Sequence, residues 1–207
     1  MNESQLREQM AFFGQSLFDR GLSYGSSGNL SARLDDGFLV TPTNCCLGTL
    51  DPARITKIDR EGNRLAGDNP TKEQNLHMAI YQENPDAGAV VHLHSTYSVA
   101  LSCLDHDEGG EIVPTYTPYF IMRLGQPALV PYYPPGDARL AEAVRELAGS
   151  YKAILLANHG PVVVEKTLEK AIYAMEEFEA SAKLAFLLNG QEAHKLNTAQ
   201  IEELLNR

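Results

Sequence analysis

Apolar positions along the chain follow two spacings in turn. Leu6, Met10, Phe13 and Leu17 fall on one stripe at helical spacing and predict a helix over residues 4–20, stopped by Gly21. A Gly/Ser-rich turn follows at 25–29. Short strands are predicted at 30–34 and 38–41, joined by Asp35-Asp36-Gly37, because an Asp-Gly step between apolar runs signals a hairpin. A second helix is expected to start near 70–71, where Thr71 followed by Gln74 fits a capping box. The apolar run 87–93 reads as a buried strand, as do 153–157 and 162–165 on either side of Asn158-His159-Gly160-Pro161. Leu140, Val144 and Leu147 mark a further helix. A long helix is predicted over 167–189, ended by Gly190, and a short one from Thr198. Alternating helix and strand signals, without repeats, predict an α/β or α+β fold.

At 207 residues, with 43% hydrophobic and 21% charged side chains, the chain reads as one soluble globular domain spanning 1–207. The net charge of −10 argues against a nucleic-acid partner, which needs clustered Lys and Arg. A small anionic substrate is still compatible, since a local pocket can be basic on an acidic body. Cys45, Cys46 and Cys103 are odd in number and two are adjacent, so no disulfide framework is expected and a reducing compartment fits. The start, MNESQLREQM, lacks a basic segment followed by an apolar run, and no apolar stretch is long enough to cross a membrane. A cytoplasmic protein is the expectation.

The sharpest chemical feature is His92-Leu93-His94. On a strand, residues i and i+2 face the same way, so two imidazoles stand side by side at metal-ligand spacing. Two polar residues on a half-buried strand would look the same. His159, at the end of the predicted strand 153–157, is the best third ligand. His77 competes, but on the second helix beside Leu76 and Ile80 it reads as a packed core residue. His106 and His194 lie in polar segments and read as solvated. Glu73 is placed in the first helical turn, where the dipole favours a carboxylate. Lys72 opposes that dipole, and either serves an anionic ligand or rests in water. Ser27-Gly28-Asn29 and Thr43-Asn44 lie in loops able to cradle a phosphate, as many ordinary turns do.

Taken in order, Gly28-Asn29-Leu30-Ser31, Thr41-Pro42-Thr43, Pro70-Thr71-Lys72-Glu73, His92-Leu93-His94 and His159-Gly160 resemble the class II aldolase/adducin family over about residues 6–205. The resemblance implies an α/β/α sandwich around a central, largely antiparallel sheet, and a homotetramer with sites at subunit interfaces. It implies His92, His94 and His159 as zinc ligands, although such nitrogen and oxygen donors also suit Mn2+ or Co2+. It makes Glu73 a resting metal ligand or acid/base. Ser27, Asn29, Thr43, Asn44, Thr71 and Lys72 would line the substrate pocket. Tyr119, or the nearby Tyr116, would donate a proton.

Asn44 stands where the sugar-phosphate aldolases carry Gly, and Thr71-Lys72 where they carry two small hydroxyl residues. Here the chain resembles the branch that decarboxylates 3-oxo-tetronate 4-phosphates. Such a substrate is a β-keto acid. Loss of CO2 from it gives an enediolate, which zinc stabilises, and then dihydroxyacetone phosphate. The alternatives are an aldolase, epimerase or dehydratase acting on a sugar phosphate such as fuculose 1-phosphate, a non-catalytic adducin-like domain, and a structural zinc site drawing on the cysteines.

Overall fold

Asn2 opens the first helix. Its side chain accepts from the Gln5 amide, the Gln5 side chain returns to the Asn2 amide, and α1 (Glu3–Asp19) follows with Leu6, Met10, Phe13 and Leu17 buried. The computed structural model describes residues 2–107 and 110–206, so Met1 and Arg207, the ends of the expected span, lie outside it. The elements continue as β1 (Asn29–Leu34), β2 (Gly37–Val40), β3 (Thr56–Ile58), β4 (Arg64–Ala66), α2 (Gln74–Glu83), β5 (Ala89–His92), α3 (Thr96–Ser102) and α4 (Pro118–Leu124). Then come β6 (Ala128–Val130), α5 (Ala138–Ala148), β7 (Ala153–Leu156), β8 (Gly160–Glu165), α6 (Leu168–Leu187) and α7 (Thr198–Leu205).

The strands form one eight-stranded sheet in the order β4-β3-β2-β1-β5-β8-β7-β6. Among the described residues, only β6 and β7 run parallel; every other strand pairing is antiparallel. Ala89 and Val91 on β5 pack into the layer holding α1, α3, α4 and α6, while Val90 packs into the layer with α2 and α5. A strand buried on both faces reads as a continuous apolar run, which is why 87–93 lacks alternation. The α/β/α arrangement with a largely antiparallel sheet is as expected. Among the described residues, no helix is long and apolar enough to cross a membrane, and the three cysteines are free.

Several expectations are corrected. The second helix begins at Gln74, and Thr71 and Gln74 form no capping box. Instead the Thr71 amide donates to the Thr41 carbonyl, the Thr43 amide donates to Asn69, and Pro42 bridges Pro70. This zipper holds 70–73 in a turn, with Thr71 Oγ1 accepting from the Glu73 amide at 3.3 Å, so Glu73 is the residue before the helix rather than one in its first turn. The first hairpin turns on Asp35 and Asp36 alone, because Gly37 already pairs with Leu34. Pro161, expected in a turn, lies inside β8 opposite Leu155.

Candidate metal centre and active site

The sheet brings the candidate residues to one of its ends. Asn29 opens β1 and pairs with His92, which closes β5. His92 also pairs with Val162 on β8, and His159 immediately precedes β8. The loop after β2 is zipped antiparallel to 69–71, with Thr41 opposite Thr71 and Thr43 opposite Asn69, which holds the turn carrying Glu73 beside the end of β2. Gly28 makes this convergence possible. Its φ is +80°, and a Cβ there would sit 2.9 Å from Leu93 Cδ2 and 3.0 Å from the His92 carbonyl oxygen.

The three imidazoles converge at interplanar angles of 71°, 84° and 60°, with ring centroids 4.8 Å apart in each pair. His92 Nε2 lies 3.0 Å from His94 Nε2 and 3.3 Å from His159 Nε2. Glu73 Oε2 is 3.4 Å from His92 Nε2, and Glu73 Oε1 is 3.4 Å from His159 Nε2. All four ligand atoms lie within 4.8 Å of one another. His92 Nδ1 donates to the Pro161 carbonyl at 2.9 Å, so the nitrogen that His92 turns into the cluster is the bare one. Metal–nitrogen bonds of 2.0–2.1 Å at tetrahedral angles separate two ligand nitrogens by about 3.3 Å. The observed spacing matches that edge. Glu73 Oε1 is buried without a hydrogen-bond partner among the described residues, as an oxygen facing a cation would be. The donor set of three histidines and a carboxylate fits a divalent metal, and no cysteine belongs to it. His94 reaches the cluster from the loop just beyond β5 rather than from the strand itself.

Electrostatics agree. Burial pushes His92 and His94 below the ordinary imidazole range and takes His159 down to about 4, so the ligands are neutral near pH 7. Burial alone would raise the Glu73 carboxyl, but His92, His159 and the Asn29 hydrogen bond together bring it down to about 2. The Asn29 amide donates to Glu73 Oε2 at 2.8 Å, and the Asn29 carbonyl oxygen accepts from His77. His77, expected in the core, is indeed buried, yet it is tied to the site through Asn29.

The helix after the H-x-H pair joins the two loop histidines. Ser95, at its cap position, makes no capping bond. Glu179 of α6 takes that place, accepting from the Tyr97 amide at 2.9 Å, the Ser98 amide at 2.8 Å and the Ser98 hydroxyl at 2.6 Å. At the other end of α3, the Ser102 carbonyl accepts from Asn158 at 2.9 Å and its hydroxyl from the His159 amide at 3.2 Å. Sequence reasoning passed over Glu179, although a carboxylate among Met175, Phe178 and Ala182 on a buried helical stripe is the signal that marks it.

Of the remaining candidates, Ser27 is half-buried and its hydroxyl donates to the Tyr24 carbonyl. Thr43 is half-buried, Asn44 is exposed with φ +56°, Thr71 is buried and Lys72 is exposed. Tyr119 is 61% exposed on α4, outside the four-residue cluster, and Tyr116 is half-buried.

The description of class II aldolase and adducin N-terminal domains matches residues 8–186. The chain belongs to the class II aldolase/adducin family. It is 49% identical over 203 residues to the 3-oxo-tetronate 4-phosphate decarboxylase of Escherichia coli K12, covering 98% of this chain and 96% of that one. The L-fuculose phosphate aldolase of the same organism is 35% identical over 186 residues, covering 89% and 84%. A crystal structure of a candidate aldolase/epimerase/decarboxylase from Escherichia coli superposes with a TM-score of 0.95 at 48% identity, covering 98% and 99%.

Proposed function

We propose that this chain decarboxylates a 3-oxo-tetronate 4-phosphate to dihydroxyacetone phosphate and CO2, as a lyase of sugar-acid catabolism. The decisive observation is the convergence of His92, His94, His159 and Glu73 on one point, in a chain closer to the decarboxylase than to the fuculose aldolase. His92, His94 and His159 would hold a divalent ion, zinc first, with Mn2+ or Co2+ as substitutes. A divalent ion bound there supplies Lewis-acid charge that stabilises the oxyanion developing as the C1–C2 bond breaks.

The chain's own residues manage protons and orientation. Glu73 moves a proton at C2 or its hydroxyl through Oε1, the oxygen with no hydrogen bond, while Asn29 holds Oε2. When CO2 departs, C2 takes one proton and the ketone at C3 is retained. Thr43, Asn44, Thr71, Lys72 and the Ser27 loop bind the phosphate and carboxylate. Lys72 orients the carboxylate or grips the phosphate; too tight a grip on the carboxylate would oppose CO2 loss. Tyr119 serves as proton donor within a homotetramer whose sites lie at subunit interfaces, a role compatible with its exposure.

The test offers the metal-loaded protein 3-oxo-tetronate 4-phosphate and, in parallel, L-fuculose 1-phosphate. CO2 from the first and no aldehyde from the second is expected. Aldehyde from the second without CO2 from the first makes the chain an aldolase.

A further inference from the structure

Behind Glu73 lies a file of buried polar side chains that metal binding does not require. Asn29, Ser31, His77 and Tyr81 are each no more than 5% exposed. Each link between them has one permitted direction. An ionised carboxylate only accepts, so the Asn29 atom 2.8 Å from Glu73 Oε2 is the amide nitrogen, and Asn29 Oδ1 faces His77 Nε2. A carbonyl oxygen also only accepts, so His77 Nε2 carries the ring proton. The His77 ring is 1% exposed and its nitrogens meet a hydroxyl and an amide oxygen, with no carboxylate to pair a buried charge, so the ring is neutral and Nδ1 is bare. Nδ1 accepts from the Ser31 hydroxyl at 2.7 Å. That hydroxyl has one proton to give, so the Tyr81 phenol, 2.8 Å away, donates to Ser31. Tyr81, Ser31, His77 and Asn29 therefore donate in sequence, all toward Glu73.

We propose that His77, Ser31 and Tyr81 are positioning residues for carbon–carbon bond cleavage: their file locks the Asn29 amide onto Glu73 Oε2 and leaves Oε1 to handle the proton. The inference rests on the reading of Glu73 as the acid/base. Aligned donors polarise one another, so the arrangement acts as a unit. Without the His77 proton, the Asn29 amide can rotate and present its carbonyl to the carboxylate, which turns Glu73 away from its position. Simple packing of β1 on α2 would need none of this directionality.

Two measurements test the proposal. The first is imidazole 15N NMR of the zinc-loaded protein, with His77 assigned by the loss of its signals in His77→Gln. A protonated Nε2 and a bare Nδ1 are expected; the opposite tautomer or a doubly protonated ring overturns the proposal. The second is kinetics of Tyr81→Phe, His77→Phe and His77→Gln, with zinc content and thermal unfolding measured on each. Tyr81→Phe retains the ring that stacks on Phe38 at 4.3 Å and lies under Arg33, and removes only the hydroxyl. Expected is a fall in kcat of about 3- to 10-fold for Tyr81→Phe and about 100-fold for His77→Phe, at unchanged KM and zinc content. His77→Gln recovers part of the loss, since its amide donates to Asn29. Wild-type kcat in Tyr81→Phe and His77→Phe, with lowered stability alone, overturns the proposal; if His77→Phe does not fold, Tyr81→Phe decides. Kinetics are read on whichever cleavage, decarboxylation or aldol, the wild type performs, so failure of the substrate assignment stays separate. A wild type that performs neither ends both readings.

Discussion

Replacing Glu179 is expected to loosen metal binding at a site its side chain never touches. The carboxylate accepts three hydrogen bonds at 2.6–2.9 Å from the first turn of α3 and stands in for the missing cap at Ser95. In Glu179→Ala the Tyr97 and Ser98 amides lose a charged acceptor in a buried setting. Hydrogen bonds to charged groups contribute roughly 1.5–3 kcal/mol each and overlap in effect, so a loss of about 3–5 kcal/mol of stability is expected. Glu179→Gln keeps one acceptor oxygen, and about 1–2 kcal/mol is expected. His94 lies two residues before α3, and the far end of α3 holds the backbone of Asn158 and His159. A shift of α3 therefore moves two of the three histidines relative to His92. Supports of metal ligands typically contribute 10- to 100-fold in affinity, and a weakening of about that size is predicted for Glu179→Gln. Chelator competition with zinc, alongside thermal unfolding of the metal-free protein, separates the two effects. Lower stability with unchanged zinc affinity would refute the view of α3 as the strut between the loop histidines.

Three further outcomes are expected. Lys72→Ser should raise KM or lower kcat for the tetronate without changing metal content; unchanged constants remove Lys72 from substrate handling. Gly28→Ala should cost about 1–3 kcal/mol and reduce metal content, because φ is +80° and the new Cβ presses on Leu93 and the His92 carbonyl; calorimetry with metal analysis checks both. For the metal-free protein, His77, His92, His94 and His159 titrate below their ordinary range in the fold, so the unfolded chain binds more protons once pH drops below about 6.5. Stability is then complete above that pH and lost as it falls toward the depressed values of about 4 and about 3; the Glu73 contribution, complete above the ordinary carboxylate range, is lost last, toward about 2. A melting temperature that rises on acidification from pH 6.5 to 4 would contradict this.

The long periodic elements were legible because each repeats its pattern several times. α1 and α6 differ from their sequence-based bounds by a residue or two at each end. β3, β4 and β6 are three residues each, too short to show alternation, and α3 and α4 are seven residues without a side-chain cap bond. These were invisible for want of a period. The H-x-H pair was legible from its spacing, although the strand ends at His92 and His94 joins the cluster from the loop just beyond it. Glu73 was singled out for the wrong local reason, since a zipper between 41–43 and 69–71, set by tertiary pairing, overrides the helix-start signal at Thr71. The link from His77 to the site was hidden because Leu76 and Met78 beside it are core residues, and only the packing of α2 on β1 shows that its ring meets Asn29 and Ser31.

The most direct test of the whole account follows CO2 and dihydroxyacetone phosphate separately as zinc-loaded wild type and His94→Ala each act on 3-oxo-tetronate 4-phosphate. His94→Ala corrects for the spontaneous loss that β-keto acids undergo. Equal amounts of the two products from the wild type, with only the spontaneous rate in the folded variant, are predicted. CO2 release by the wild type no faster than by His94→Ala would contradict the assignment of this chemistry to the His92, His94, His159 and Glu73 centre.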